Sequence, residues 1–383
     1  MTYEPDPAHQ ALRDAVRSIV VRFDDAYWRA RDQDGEFPYA FREALAAGGW
    51  LGVTMPEAHG GAGLGVSEAA VLMHEVCSHG GGMTAASTIH IGLFAPHAIV
   101  VFGSEAQKAR WLPPLISGAD LCCMAFTEPE SGVRTFAEKV PGGYRVNGQK
   151  LWTSTAQVAN KILLVVRTSR EDGSTRPSEG ISIFYTDLDR SKIQVRKIDK
   201  MGCTAIDANT VFIEDLFVPD ADRIGEEGKG FKYIVHSLNP ERVLIGVEAV
   251  AIGQDALRRA AKYAVERKVN GRPIGMNQAV QHPLAENWCA LEAAYHMAMR
   301  AAWLYDSGRP CVAEANAAKL LGARAGYDAC FQSILTHGGF GYAREFDVER
   351  LLREITMARI TPISDNLILS AIAEKQLGLP RSF

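Results

Sequence analysis

The spacing of hydrophobic residues changes twice along the chain, and that pattern restricts the fold more than any single motif. Up to about residue 120, segments 8–31, 38–48, 66–78 and 104–117 carry apolar residues at helical spacing, separated by Gly-rich breaks such as HGGAGLG at 59–65 and HGGGM at 79–83. Short strand-like runs follow: YRV and KLW around an Asn147-Gly148 turn, KILLVV at 161–166, ISIFYTD at 181–187 and TVFIEDLFVP at 210–219. Helical spacing then returns and predicts helices over 240–268, 278–307, 312–337, 345–357 and 364–376. A helical, β, helical order implies an α+β protein in three parts: an N-terminal helical domain over 1–120, a middle, mainly antiparallel β domain over 121–231, and a C-terminal helical bundle over 232–383.

Within the last part, SLNPERVLIGVEAVAIGQDALRRAAKYAVERK at 237–268 predicts one long helix. Asn239 suits an N-cap, Pro240 the first helical position and Glu241 the first turn. Val243, Val247, Val250, Leu257, Ala261 and Ala264 would face a core, with Glu248, Asp255, Arg259, Lys262 and Glu266 on the opposite side. At about 1.5 Å per residue, Glu241 and Arg267 lie roughly 40 Å apart. Chemistry at the two ends therefore belongs to two different places.

With 47% hydrophobic and 22% charged residues and a net charge of −4, the chain reads as an ordinary globular protein with no surface for nucleic acid or anionic membrane. The polar, acidic start MTYEPDPAHQ is unlike a signal peptide, and no apolar run reads as long enough to span a bilayer, so a cytoplasmic location is expected. The seven cysteines lack CxxC spacing and read as reduced, mostly buried side chains. Ten dispersed histidines form no HxxxH or HExxH pattern, so no metal site is expected. The GGAGLG run lacks GxGxxG spacing and a strand-then-helix setting, which argues against a dinucleotide loop.

Three stretches, in this order on such a chain, resemble the flavin-dependent acyl-CoA dehydrogenases: CMAFTEPESG at 123–132, NGQKLWTS at 147–154, and NPERVLIGVEAVAIG with ERKVNGRPIGMNQAVQHPLAE at 239–253 and 266–286. LTHGGFGYAREFDVERLLRE at 335–354 and the LGLPRSF ending support them. The resemblance implies a homotetramer whose subunits each end in a four-helix bundle and bind FAD between the β domain and the bundle. It implies an acyl-CoA substrate, or an acyl group on a carrier protein, and electron-transfer flavoprotein as acceptor. Carried over by position, Phe126 and Thr127 would touch the flavin ring, Trp152 would pack beside it and Ser154 would hydrogen-bond near its N5. Arg267 and Gln278 would serve the cofactor of a neighbouring subunit, Gly339 would also contact the cofactor, and Asn239 and Arg242 would meet the thioester end of the substrate. From the residues alone, Trp152 equally fits a core aromatic and Arg267 a cation at a helix C-terminus. The acyl pocket would be lined around Thr84–Leu93 and near Glu241.

Such an enzyme needs a carboxylate to take the proton α to the thioester, and burial raises the proton affinity that suits it to the task. Many family members carry it in a C-terminal YEG motif, where this chain reads TPISDNLIL with Asp365 nearest. Glu241 of NPER instead matches the position used by the isovaleryl-CoA and long-chain types. Glu241 is the preferred base and Asp365, expected at an N-cap, the runner-up. The loop between TEP and NGQK is about five residues short of the family pattern. Val133, Asn270 and Leu335 replace a serine, a phenylalanine and a glutamine of that pattern. These changes leave two alternatives: a flavin-poor scaffold subunit of a hetero-oligomer, or a non-redox acyl-thioester enzyme on the same fold.

Overall fold

The computed structural model describes residues 7–130, 132–169 and 178–381. Ser131 of the TEPESG stretch and Ser382-Phe383 of the LGLPRSF ending lie outside them. Seven helices come first: α1 (Pro7–Val20), α2 (Asp25–Asp34), α3 (Tyr39–Ala47), α4 (Val66–Cys77), α5 (Gly82–Phe94), α6 (His97–Phe102) and α7 (Glu105–Ser117). The single segment expected over 8–31 is two helices, because Asp24 caps α2 by accepting a hydrogen bond from Tyr27 N at 3.0 Å. Contrary to the sequence reading, residues 82–102 are apolar and long enough, by length and composition, to cross a membrane. Most of that stretch is buried inside the protein, and the helix breaks at Ala95-Pro96 between α5 and α6.

The eight-stranded sheet comprises β1 (Cys122–Ala125), β2 (Phe136–Val140), β3 (Gly143–Ser154), β4 (Lys161–Arg167), β5 (Ile181–Asp187), β6 (Ile193–Lys197), β7 (Ala208–Pro219) and β8 (Arg223–Ile224). Its order is β6-β7-β3-β2-β4-β5-β8, with β1 added parallel to β4. Asn147-Gly148 is not the hairpin turn expected of it. β3 runs straight through these residues, and the turn between β2 and β3 is Pro141-Gly142. The reason is a bulge: β3 slips against β7 between Val146 and Gly148, and Asn147 Oδ1 accepts the Asp215 N–H at 2.8 Å.

The last part holds α8 (Gly230–Glu266), a short hairpin of β9 (Lys268–Val269) and β10 (Arg272–Pro273), then α9 (Gln278–Asp306), α10 (Val312–His337), α11 (Val348–Ile360) and α12 (Asp365–Gln376). The α11 start falls later than expected because Asp347 takes a left-handed backbone, φ 61°, with its carboxylate bound by Arg29 at 2.7 Å. The α8 start differs more. The helix begins nine residues before Asn239 and carries Pro240 in its interior. A proline there removes the bond to the His236 carbonyl. Burial of Tyr233, Ile234 and Ser237 in the extra turns nevertheless holds the helix together, so Asn239 is not a cap.

The polar side assigned to α8 is also corrected. Glu248 and Asp255 are fully buried, whereas Ala261 is exposed. α8 is the central helix, packed by α4, α5, α9, α10 and α11, so it has no solvent face through its middle. Its approach to α10 is close enough to demand glycine. A Cβ on Gly322 would lie 2.3 Å from the Gly246 carbonyl oxygen, and one on Gly326 2.3 Å from that of Ala249. This crossing fixes α8, and with it Glu241, against the rest of the bundle.

Candidate active site

The corrected helix start changes the electrostatics of Glu241. It is the twelfth residue of α8 rather than a member of its first turn, so the unpaired N–H groups that would hold a carboxylate ionised are three turns away. Burial then dominates. The side chain is buried, with His90 of α5 among the charged groups that act on it, and desolvation pushes its proton affinity up to about 7. His90 and Arg242 pull the other way, and Glu248 adds to the rise. Arg242, half-buried, donates to Asn239 Oδ1 at 3.0 Å. Asn239 and Arg242 therefore hold one another on the turn that carries Glu241.

Asp365 has the opposite setting. It is the first residue of α12, and the cap is Ser364, whose hydroxyl accepts from Leu367 N. Its carboxylate meets three cations: Lys319 Nζ at 3.5 Å, Arg324 Nε at 3.1 Å and Arg359 Nη2 at 3.1 Å. Burial alone would raise its proton affinity, but the hydrogen bond from Arg324 and the charges of Lys319 and Arg359 outweigh it and hold it below the ordinary carboxylate value. A carboxylate so neutralised is a poor proton acceptor.

The residues assigned to the β domain converge. The β3–β7 ladder slips a second time between Lys150 and Thr153, throwing Leu151 and Trp152 out of register. Trp152 has φ 58° and is 55% exposed, so it is not the core aromatic that the residues alone allowed. Leu151 N donates to the Thr127 carbonyl at 2.8 Å, and Lys150 Nζ to that of Phe126 at 3.2 Å. Phe126, Thr127 and Trp152 thus sit together, with Ser154 at the end of the same strand. A left-handed backbone is costly for a tryptophan. The indole held in it is exposed beside an exposed threonine, an arrangement that leaves room for a flat ring such as that of FAD.

The second cluster lies at the far end of α8. Arg267 and Gln278 flank the β9–β10 hairpin, where Ile274 N bonds the Arg267 carbonyl at 2.9 Å, and both are exposed. Tyr263, one turn before Arg267, stacks on His337 at 4.3 Å. That brings Gly339, where a Cβ would meet nothing within 4 Å, to the same end. Glu241 and Arg267 are separated by about 39 Å of helix, so the two groups of residues lie at opposite ends of α8.

The departures from the family pattern are accommodated. Asn270 and Gly271 have φ 51° and 78° and form the tip of the hairpin, a conformation that Asn adopts more readily than an aromatic residue. Val133 is buried in the core between α7 and the sheet, and its carbonyl accepts from Arg167 Nε at 3.0 Å. Leu335 is exposed on α10. The short loop is tied by Glu128, which accepts from Arg134 N at 2.8 Å, Thr135 N at 3.1 Å and Lys150 Nζ at 2.6 Å.

Sequence reasoning missed two buried ion pairs beside the candidate site residues. One is Glu128–Lys150, with side chains 5% and 0% exposed. Both residues lay inside quoted motifs, TEP and NGQK, and a lysine in a strand pattern was the available signal. The other is His90–Glu248 at 2.6 Å, joining α5 to α8. Glu248 had been read as solvent-facing, and nothing in the sequence paired it with His90. α5 faces the β domain with its other side: Ser87, Thr88 and Ile91 line a small cavity with Cys122 and Thr155, the residue after Ser154. The Thr84–Leu93 stretch therefore spans from the sheet to the helix that carries Glu241.

Family models for the acyl-CoA dehydrogenases match along the chain: the N-terminal domain over 6–119, the middle domain over 123–216 and the C-terminal domain over 228–377. Acyl-CoA dehydrogenase fadE12 of Mycobacterium bovis is 32% identical over 98% of this chain and 97% of its own length. The chain belongs to the acyl-CoA dehydrogenase family. Benzylmalonyl-CoA dehydrogenase of Aromatoleum aromaticum is likewise 32% identical, over 94% of this chain and 97% of its own. Among solved structures, butyryl-CoA dehydrogenase of Megasphaera elsdenii superposes with a TM-score of 0.92 at 25% identity, covering 98% of this chain and all of its own. This member is a flavin-dependent oxidoreductase that uses FAD and takes acyl-CoA.

Proposed function

We propose that Glu241 is the catalytic base of an α,β-dehydrogenation of an acyl-CoA thioester. The observation that carries this reading is the contrast between the two candidate carboxylates. Glu241 is buried, has no ion pair among the described residues and has a proton affinity near neutrality, whereas Asp365 is held ionised by three cations. At neutral pH about half of the Glu241 side chains would be ready to accept a proton, and a base of that strength still transfers it readily. Arg242 and Asn239 orient the thioester end of the substrate on the same turn. The fixed crossing of α8 with α10 keeps the carboxyl in place, and burial excludes water from it. FAD, when bound, supplies the acceptor for the β-hydride. Phe126, Thr127, Trp152 and Ser154 hold its ring on the sheet side.

Arg267, Gln278 and Gly339 serve the cofactor of a neighbouring subunit, which makes the working form an oligomer, and we take it to be the homotetramer. Exposed Trp288, Trp303, Phe331 and Leu335 on α9 and α10 supply apolar surface for such contacts. Electrons leave to an electron-transfer flavoprotein. The test is the visible spectrum of the purified protein, followed anaerobically while straight-chain, branched and aryl acyl-CoA thioesters are added. A flavin band that one class bleaches supports dehydrogenation and names the substrate class. A flavin band that none bleaches would overturn it in favour of a non-redox reaction.

A further inference from the structure

Glu241 and Glu248 stand seven residues apart on α8, two turns along one face. Opposite them α5 presents His90. Its Nδ1 bonds Glu248 Oε1 at 2.6 Å, with the two side chains 8% and 0% exposed. The other ring nitrogen, Nε2, and the other carboxylate oxygen, Oε2, are both buried and without a partner among the described residues. An unmet buried donor or acceptor is costly, and an apolar pair of similar size would spare the core both. Stability therefore does not explain the pair. What it does act on is Glu241. Of the charged groups bearing on Glu241, His90 exerts the largest influence, ahead of Arg242 and of the repulsion from Glu248.

We infer that His90, anchored to α8 by its bond to Glu248, is a positioning residue for the base Glu241, two turns away on the same helix face. The inference rests on the reading of Glu241 as the base. His90 and Glu248 together carry no net charge, yet the cation acts on Glu241 more strongly than the anion, so the pair limits how far burial can raise the base. Burial opposes charge on His90 itself, but the charge and hydrogen bond of Glu248, with Glu241 adding, outweigh it and raise its proton affinity above the ordinary histidine value. The surrounding elements leave this balance undisturbed. From α4, Cys77 bears on Glu248, but burial pushes its thiol well up and keeps it neutral. From α11, Glu354 is taken by Arg350 at 3.3 Å and by Thr84 N at 2.9 Å. Cys311, before α10, bears on Arg242, and burial raises its thiol too. From α5, the Phe94 ring leans on His90 at 4.9 Å.

The experiment compares wild type, His90→Gln and His90→Gln/Glu248→Gln. The infrared band of the protonated Glu241 carboxyl, identified by its loss in Glu241→Gln, is titrated beside the acid limb of anaerobic flavin reduction. His90→Gln leaves Glu248 as an uncompensated anion, and both midpoints should move up by about one pH unit. The double variant removes both charges and should leave the midpoints between those of wild type and His90→Gln. Rates that fall without any movement of the midpoints would show a purely packing role and overturn the inference. If Glu241→Gln leaves reduction unchanged, it is the base assignment that fails. Should His90→Gln not fold, 15N spectra of histidine-labelled wild type decide: a charged His90 ring at pH 7 is expected, and a neutral one overturns the inference.

Discussion

Replacing Glu241 by Gln separates the cost of burying the base from its chemistry. Burial raises the proton affinity of this carboxyl from 4.5 to about 7. Below pH 4.5 both the folded and unfolded chains hold the proton, and the site costs the fold nothing. As pH rises from 4.5 to 7 the unfolded chain releases its proton while the folded one retains it, so stability is lost across that window and the loss levels off above pH 7. At about 1.4 kcal/mol for each factor of ten, the loss is about 1.4 kcal/mol at pH 5.5 and about 3 kcal/mol at pH 8. Gln has the same size and no charge, so Glu241→Gln should exceed wild type in stability by those amounts. With about 2 cal/mol/K of unfolding entropy per residue, a cooperative unit of this size gains roughly 2 °C in Tm at pH 5.5 and roughly 4 °C at pH 8. Calorimetry of both proteins at the two pH values measures this. A difference in Tm that does not grow with pH, or a variant less stable than wild type at pH 8, would refute the claim that Glu241 is a desolvated carboxyl.

Three further outcomes follow from the packing. Lys150→Met leaves Glu128 buried without its cation and should cost about 3–5 kcal/mol in chemical denaturation, and by loosening the loop beside Thr127 it should weaken FAD retention on gel filtration. Gly322→Ala puts a Cβ 2.3 Å from the Gly246 carbonyl oxygen; the α8–α10 crossing must open, and the thermal midpoint should fall even though alanine is the better helix former. Asp365→Asn leaves Lys319, Arg324 and Arg359 crowded without a counter-ion and should destabilise by about 1–3 kcal/mol, with the rate of flavin reduction by substrate unchanged.

The alternation of helical and strand-like spacing was enough to predict the α+β architecture, because burial on one face imposes a period of about 3.6 or 2 that sequence displays directly. Where it misled, long-range packing had overridden a local signal. Asn239-Pro240-Glu241 has every local mark of a helix start, yet three preceding turns anchored by Tyr233 and Ile234 carry α8 through the proline. Asn147-Gly148 has the composition of a hairpin tip, yet its neighbours pair on through it, and the slip is taken up by an extra residue on β7 at Glu214-Asp215. Glu248 and Asp255 were placed on a solvent face because amphipathic reasoning assigns one polar side to every helix, and a central helix has none. The site was legible only through motif resemblance for Thr127, Trp152 and Glu241. Trp152 lies in a bulge that no spacing shows, and the raised proton affinity of Glu241 depends on a helix start that the sequence hid. His90–Glu248 joins residues 158 positions apart, which only the fold could bring together.

Rapid mixing of wild type, Glu241→Gln and Asp365→Asn with the thioester that bleaches the flavin, without oxygen, tests the central claim most directly. The account predicts that all three retain FAD and bind the thioester, that Asp365→Asn is reduced at the wild-type rate, and that Glu241→Gln is slower by on the order of 10³-fold or more. Full-rate reduction of Glu241→Gln, with reduction lost in Asp365→Asn, would contradict it and move the base to α12.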